Sequence, residues 1–331
     1  MAGRGSAWSD PEVLKLTREF VPATDESWRL QTSDDPQAEF FRTMLHGKPD
    51  RVNGSRQGTY VCTPGGRLLA RGNSRNPRVI EKILREGLAA WQALSEEERA
   101  RPVPPGIQPE HRFEDFFPAD GLALTATHRD WNPDDPGASG GRWNLDHLWI
   151  SHDEVSTWMR ALDGSPDPVP LPKALVDRWV RLHLVDNVRG QEGPFAPEDI
   201  ERATMTARVE MTRGRRAHLV IEGETRAVSD GVWKLGDNLW KNFKNRPRGV
   251  ETEILGQAIY DMDRGRFVAF SLVAVGRSWG GSGLNGRSSG GPESSTPLAW
   301  RFELSGDRPA DRVPPAFIDI YGASWVRLPG S

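Results

Sequence analysis

The stretch GTYVCTPGGRLLARGNSRNPRVIEKILREGLAAW, residues 58–91, decides how the first part of this 331-residue chain is read. Residues 59–63 are rich in β-branched and aromatic side chains, Gly65-Gly66 supplies a turn, and 67–71 return as a partner strand. Asn76-Pro77 then opens a helix, with Asn as cap and Pro at the first helical position. Val79, Ile80, Ile83, Leu84, Leu88 and Trp91 recur at helical spacing and make one apolar stripe. Cys62, inside the first strand, is the one cysteine of the sequence. It has no partner for an intrachain disulfide, and in a strand it is expected to be buried as a small hydrophobe.

Upstream, Ser9-Asp10-Pro11-Glu12 starts a helix. Either Asp10 caps it ahead of Pro11, or Ser9 and Glu12 form a capping box. Residues 20–25, FVPATD, read as a short buried strand. A second helix is expected within 36–46, where Phe40, Phe41, Met44 and Leu45 share a face. Downstream the character changes. Ser95-Glu96-Glu97-Glu98 is charged, and Pro102, Pro104, Pro105 and Pro109 follow closely, as in a stiff linker after a last helical turn. The expected domains are therefore 1–95, a linker at 96–112, and 113–331.

The second part predicts an α+β domain on a largely antiparallel sheet. Strands are expected at 122–127, 145–150, 203–212, 217–228, 250–260, 267–275 and 298–304. Arg213-Gly214-Arg215 and residues 261–266 join neighbours as hairpins. Ser151-His152-Asp153-Glu154 is a capping box before one helix, and 172–184 (PKALVDRWVRLHL) read as another. Residues 276–295 form a Gly/Ser-rich loop.

Composition sets bounds. Hydrophobic residues make up 37% and charged residues 27%, with 34 Gly and 26 Pro, which suits a globular protein rich in turns. Net charge is −3, so the whole chain offers no electrostatic case for nucleic acid or an anionic membrane. No run of about 18 apolar residues occurs. The start, MAGRGSAWSDPEV, lacks the apolar region of a signal peptide. Cytoplasm is the default expectation, with export if a longer precursor carries the signal. Trp is frequent, with 13 copies against 3 Tyr; scattered from Trp8 to Trp325, these residues are expected to fill cores.

The N-terminal hundred residues resemble the thioredoxin-like superfamily. SDPEVLKLTREFVPATD is similar to its helix-to-strand passage, GTYVCTPGGRLL to its antiparallel hairpin, and NPRVIEKILREGLAAW to its closing helix. The resemblance implies a thioredoxin-like α/β fold but not its chemistry. That family exchanges disulfides with a W-C-x-x-C pair at a helix N-terminus, where the thiol pKa is lowered. Laid on that motif, Trp8-Ser9-Asp10-Pro11-Glu12 puts Ser9 and Glu12 in place of both cysteines; in a later register the motif and its strand are absent. The family's cis-proline precedes the threonine matched by Thr59, and Gly58 stands there instead. The blocks RWNLDHLWIS, RLHLVDNVRG and FSLVAVG resemble segments found beside this module in uncharacterised bacterial proteins, which implies architecture alone.

The richest polar region runs from His128 to His152. Asp146, His147, His183 and Asp186 could supply a base with its orienting acid, or metal ligands. The spacing matches neither HExxH nor paired CxxC, and no metal or cofactor is expected. His152, Asp153 and Glu154 fit a helix's first turn. Gly281-Ser282-Gly283-Leu284-Asn285-Gly286 matches G-x-G-x-x-G, but Ser288-Ser289-Gly290-Gly291-Pro292 follows where a dinucleotide fold needs a helix, so a loop is expected. Asp261-Met262-Asp263-Arg264-Gly265 lacks the later ligands of a calcium loop and reads as a hairpin turn. Residues 233–248 interleave Trp233, Trp240 and Phe243 with Lys234, Lys241, Lys244, Arg246 and Arg248 against Asp237. Such a segment could hold single-stranded nucleic acid or an anionic polysaccharide, but a loop with tucked aromatics is the expectation, and nucleic acid is not an expected partner.

Three functions follow as expectations. The first is a non-redox interaction or ligand-binding protein, with the N-terminal module as scaffold and the β-rich part holding a protein partner or small ligand. The second is a hydrolase or other enzyme using Asp146, His147, His183 and Asp186. The third is a single-thiol redox protein using Cys62.

Overall fold

Capping side chains set the helices of the first unit, Arg4–Arg112. The structure is a computed structural model and describes residues 5–25, 27–51, 56–107, 113–132, 134–135, 142–190, 192–230, 234–235, 240–241, 247–281, 285–287, 290–308 and 311–326. After α1 (Gly5–Trp8), Asp10 accepts from the backbone N–H groups of Glu12 and Val13 and starts α2 (Pro11–Thr17). Asp10 is thus the cap, not a Ser9–Glu12 box. α3 (Ser27–Thr32) precedes α4 (Pro36–His46), which Asp35 caps through Ala38 N at 2.9 Å. Gly47, at φ +72°, closes α4 in the left-handed conformation that lacks strain only for glycine. Arg42 of α4 is buried and donates to the carbonyls of Leu30, Ser33 and Pro49, so one guanidinium serves the open end of α3.

β1 (Thr59–Cys62) and β2 (Leu68–Gly72) pair antiparallel, followed by α5 (Pro77–Gln92) and α6 (Glu96–Arg99). Ile80, Ile83 and Leu84 of α5 make a core with Val61 of β1 and Val13 of α2. Gly87 permits that approach: a Cβ there would lie 2.6 Å from Val61 Cγ1. On the other face of the hairpin, Tyr60 meets Phe41 of α4 edge-on at 5.5 Å. The hairpin therefore lies between α5 and α4.

Two expectations fail here. Residues 20–25 form no strand: Phe20 packs against the core, but Val21 is 96% exposed and Pro22 has no amide to donate, so the segment joins no ladder. Among the described residues this unit holds the hairpin alone as its sheet. Cys62 is exposed, not buried, because strand alternation turns Val61 toward α5 and Cys62 away. The segment 96–112 begins with α6, whose Ser95–Glu98 capping box is complete; 100–107 carry no helix or strand.

The second unit starts at Phe113. Its elements are β3 (Leu122–Asp130), β4 (Trp143–Ile150), α7 (His152–Leu162), β5 (Val169–Pro170), α8 (Lys173–Leu182), β6 (Ile200–Arg213), β7 (Arg216–Ser229), β8 (Lys234–Leu235), β9 (Trp240–Lys241), β10 (Arg248–Asp261), β11 (Arg266–Gly280) and β12 (Thr296–Leu304). Eight strands form one antiparallel sheet in the order β4-β3-β12-β11-β10-β7-β6-β5, and β8 pairs with β9. The chain is thus mixed α/β with largely antiparallel sheets. Asp261 Oδ1 accepts from Asp263 N and Arg264 N, which makes the β10–β11 connection the hairpin turn read from the sequence.

Alternation gives this sheet a covered and an open face. Leu124, Ala126, Leu298, Phe302, Leu272, Ala274, Ile254 and Ala258 point to the covered side, where α7 and α8 pack. Trp158 of α7 meets Phe267 at 5.4 Å, and Trp179 of α8 meets Phe302 at 4.9 Å. Trp149, Trp158, Trp179 and Trp300 are all fully buried, as expected of core-filling indoles. Arg178 joins the layers: it binds Glu154 in the capping box of α7 at 2.6 Å and the carbonyl of Trp149 on β4 at 3.0 Å. No helix among the described residues is long and apolar enough to cross a membrane.

Candidate functional site

β4 separates the two residues that the sequence offers side by side. Asn144, Asp146, Leu148 and Ile150 face the core, while Leu145 and His147 face away, because a strand turns successive side chains to opposite faces. His147 therefore does not join Asp146. His183 does. It caps the end of α8, and its Nδ1 lies 2.7 Å from Asp146 Oδ2. Its Nε2 lies 2.6 Å from the hydroxyl of Tyr321, a residue the sequence reading did not single out.

Each atom of this chain of bonds is spent. Burial pulls the Asp146 pKa up, but His183, its hydrogen bond and the backbone N–H of His147 outweigh it and hold the carboxyl below its ordinary value. An ionised carboxylate only accepts, so Nδ1 carries a proton toward Asp146, and Nε2 is held by the Tyr321 hydroxyl. Asp146 Oδ1 also accepts from Ala316 N at 3.1 Å, and Tyr321 Oη accepts from Trp149 N at 3.4 Å. Burial raises the Tyr321 pKa well above its ordinary value, with the Arg178 guanidinium 4.6 Å above the ring opposing. A general base needs a nitrogen within reach of a substrate proton. Here both imidazole nitrogens are engaged and no atom of the His183 side chain is exposed.

Asp186 goes elsewhere. It pairs with Arg287 at 2.6 Å, and Arg287 also holds Asp130 at 2.7 Å, itself bound by Arg189. Next to it, Asn285 donates to Glu192 at 2.8 Å, and the buried Arg248 donates to Pro194 O and lies over Phe195. These bonds tie the loop after β11 to the segment after α8. A cavity of about 10 Å³ beside Asp186, Glu192, Arg248 and Ser278 holds no more than one water. His128 is buried on β3 with both ring nitrogens lacking a hydrogen-bond partner among the described residues, and burial lowers its pKa. Of the four residues expected to cluster, then, only Asp146 and His183 touch. Among the described residues no three His, Cys, Asp or Glu side chains converge as metal ligands.

Cys62 is accessible, yet burial of its inner side raises the thiol pKa, which disfavours the nucleophilic thiolate. Most of the basic-aromatic segment 233–248 lies outside the described residues, as do Ser282, Gly283 and Leu284 of the G-x-G-x-x-G match. Arg248, at the end of that segment, is buried in β10.

Among the described residues an accessible concavity lies on the open face of the large sheet. A trough of about 450 Å³ crosses β6, β7 and β10. Thr206, Glu222, Leu255 and Val273 form one row across the strands, and Thr204, Glu224, Glu253 and Val275 the next. Leu255 is 61% exposed, where alternation calls for a polar side chain. The adjoining row is charge-matched: Arg226 and Arg277 both bind Glu251. Glu224 has Arg202 at 3.5 Å, but Glu222 and Glu253 have no ion pair among the described residues. The signal was present in the strands at 217–228 and 250–260, as outward glutamates interrupted by Leu255. No family model, no curated protein and no solved structure matches this chain.

Proposed function

We propose that the protein is a non-catalytic binding module whose second unit takes its ligand on the open face of the large sheet. The first unit, a hairpin held between two helices, is its docking scaffold in this reading, and one cysteine together with Gly58 supports a non-redox role. The observation that carries the proposal is a contrast of access. The Asp146–His183 pair is sealed and hydrogen-bonded at both ends, while the trough at β6, β7 and β10 is open and keeps unneutralised polar groups beside an exposed leucine. Ligand sites combine apolar area with a few convergent polar groups.

Nuclear magnetic resonance with a fragment library tests this reading. Binders are expected to shift amides of β6, β7 and β10, and to lose those shifts in Leu255→Asp. Fragments that instead shift residues around Asp146 and His183, together with turnover lost in His183→Gln but kept in Leu255→Asp, would establish the hydrolase reading in its place.

A further inference from the structure

The trough is built for a cation attached to an apolar body. We infer that its partner is a basic, amphipathic peptide segment, in which a lysine or arginine settles against Glu222 and Glu253 while a neighbouring apolar side chain covers Leu255 and Val273. This rests on the binding reading above and names the partner.

Charge and apolar surface on this face are complementary to such a segment. Across an antiparallel sheet, directly opposed like charges destabilise. Glu224 and Glu253 are directly opposed, and Glu222 is the diagonal neighbour of Glu253. Arg202 relieves Glu224 alone. The rest of this face shows the usual remedy, since Arg226 and Arg277 flank Glu251 one row away. The two rows that line the trough omit it, and leave the carboxylates of Glu222 and Glu253 without an ion pair among the described residues beside the exposed Leu255. A cation from outside completes the same alternation of charge. The Thr206 hydroxyl borders the trough and offers a hydrogen bond to a peptide backbone, while that of Thr204 donates to Glu224 O at 3.2 Å and keeps its acceptor side. An anion is disfavoured by the three glutamates, and a purely apolar ligand would desolvate them without a partner. Lysine and arginine meet both needs, because their methylene stems cover apolar surface while the charged head stays with the carboxylates.

The test uses the full chain and three synthetic pentapeptides, Lys-Leu-Lys-Leu-Lys, Glu-Leu-Glu-Leu-Glu and Lys-Ser-Lys-Ser-Lys, in titration calorimetry. The first is expected to bind, the second not, and the third about threefold to tenfold more weakly than the first. Affinity should fall as salt rises from about 20 to about 300 mM. The double variant Glu222→Gln/Glu253→Gln should cost about tenfold, and Leu255→Ser about threefold to tenfold. Both changes are on the exposed face, and circular dichroism confirms that the variants remain folded. Equal affinity for the acidic peptide, no effect of the double variant, or no binding of the basic peptide overturns the inference. If fragments of another class shift the β6, β7 and β10 amides in that last case, the binding reading survives; if none do, both fall.

Discussion

Replacing Tyr321 by phenylalanine removes one oxygen and little else. The ring keeps its edge-on contact with Trp325 at 5.8 Å and its place 4.6 Å beneath Arg178. What is lost is the hydrogen bond to His183 Nε2 and the acceptor for Trp149 N. Leaving a buried polar group unpaired costs about 1–3 kcal/mol. Taking about 2 kcal/mol for the imidazole, a unit of this size should lose about 4–8 °C of melting temperature. Asp146→Asn acts on the other end of the same ring. Its amide must point a donor at either His183 Nδ1–H or Ala316 N–H, and breaking a buried pair costs about 3 kcal/mol or more. Because both changes act through His183, the double variant should depart from additivity by at least about 0.5 kcal/mol. Urea unfolding followed by near-ultraviolet circular dichroism measures this, with hydrogen exchange at β3 and β4 assigning the transition to the second unit. Unchanged or raised stability in Tyr321→Phe would mean that the hydroxyl does not satisfy the imidazole. The sealed pair would then be open to chemistry, and the non-catalytic reading would lose its main support.

Acid should destabilise the second unit before carboxylates titrate. Burial holds the folded His128 pKa below its ordinary 6.5, and His147 is lowered in the same way. A depressed histidine contributes stability that is complete above pH 6.5 and falls as pH drops toward the folded pKa. The urea midpoint should decline below that pH, and His128→Phe should flatten the decline. In the first unit, Gly87→Ala should cost about 1–3 kcal/mol by overpacking against Val61, despite the better helix propensity of alanine, read by thermal melting. Arg42→Met strands three carbonyls and should cost about 3 kcal/mol, measured the same way. Cys62 should react slowly with maleimide at neutral pH despite its exposure, with a rate that climbs as pH approaches its raised pKa; rapid labelling at pH 7 would contradict a raised thiol pKa.

Much of the fold was legible because its signals are local. Alternation marked the long strands from β6 to β11, and Asp10, Asn76 and Ser151 announced their helices through caps that need only nearby amides. Residues 20–25 show the limit. Their apolar content is strand-like, but a strand also needs a neighbour to pair with, and no local pattern reports one. The site was half legible. Asp146 and His183 were marked by residue type, but so was His147, which the alternation of β4 turns to the other face. Tyr321 and Arg287 were invisible, since each completes its cluster from more than 100 residues along the chain, at separations of 138 and 101 residues. Cys62 was misplaced because a small sulfur side chain fits either face of a hairpin.

The register of β3 against β12 sets the order in which this sheet can be made. Neighbours such as β6–β7 and β10–β11 are joined by tight hairpins, but Thr125 must find Glu303, and its hydroxyl meets that of Ser305 at 2.8 Å across 180 residues of chain. Contacts between distant residues form late and slowly. During synthesis the first two strands of the unit must therefore wait, with one edge unpaired, until β12 has left the ribosome. A chaperone that shields β3 over that interval would raise the yield of soluble protein, and truncation before residue 296 would leave the edge permanently open to aggregation.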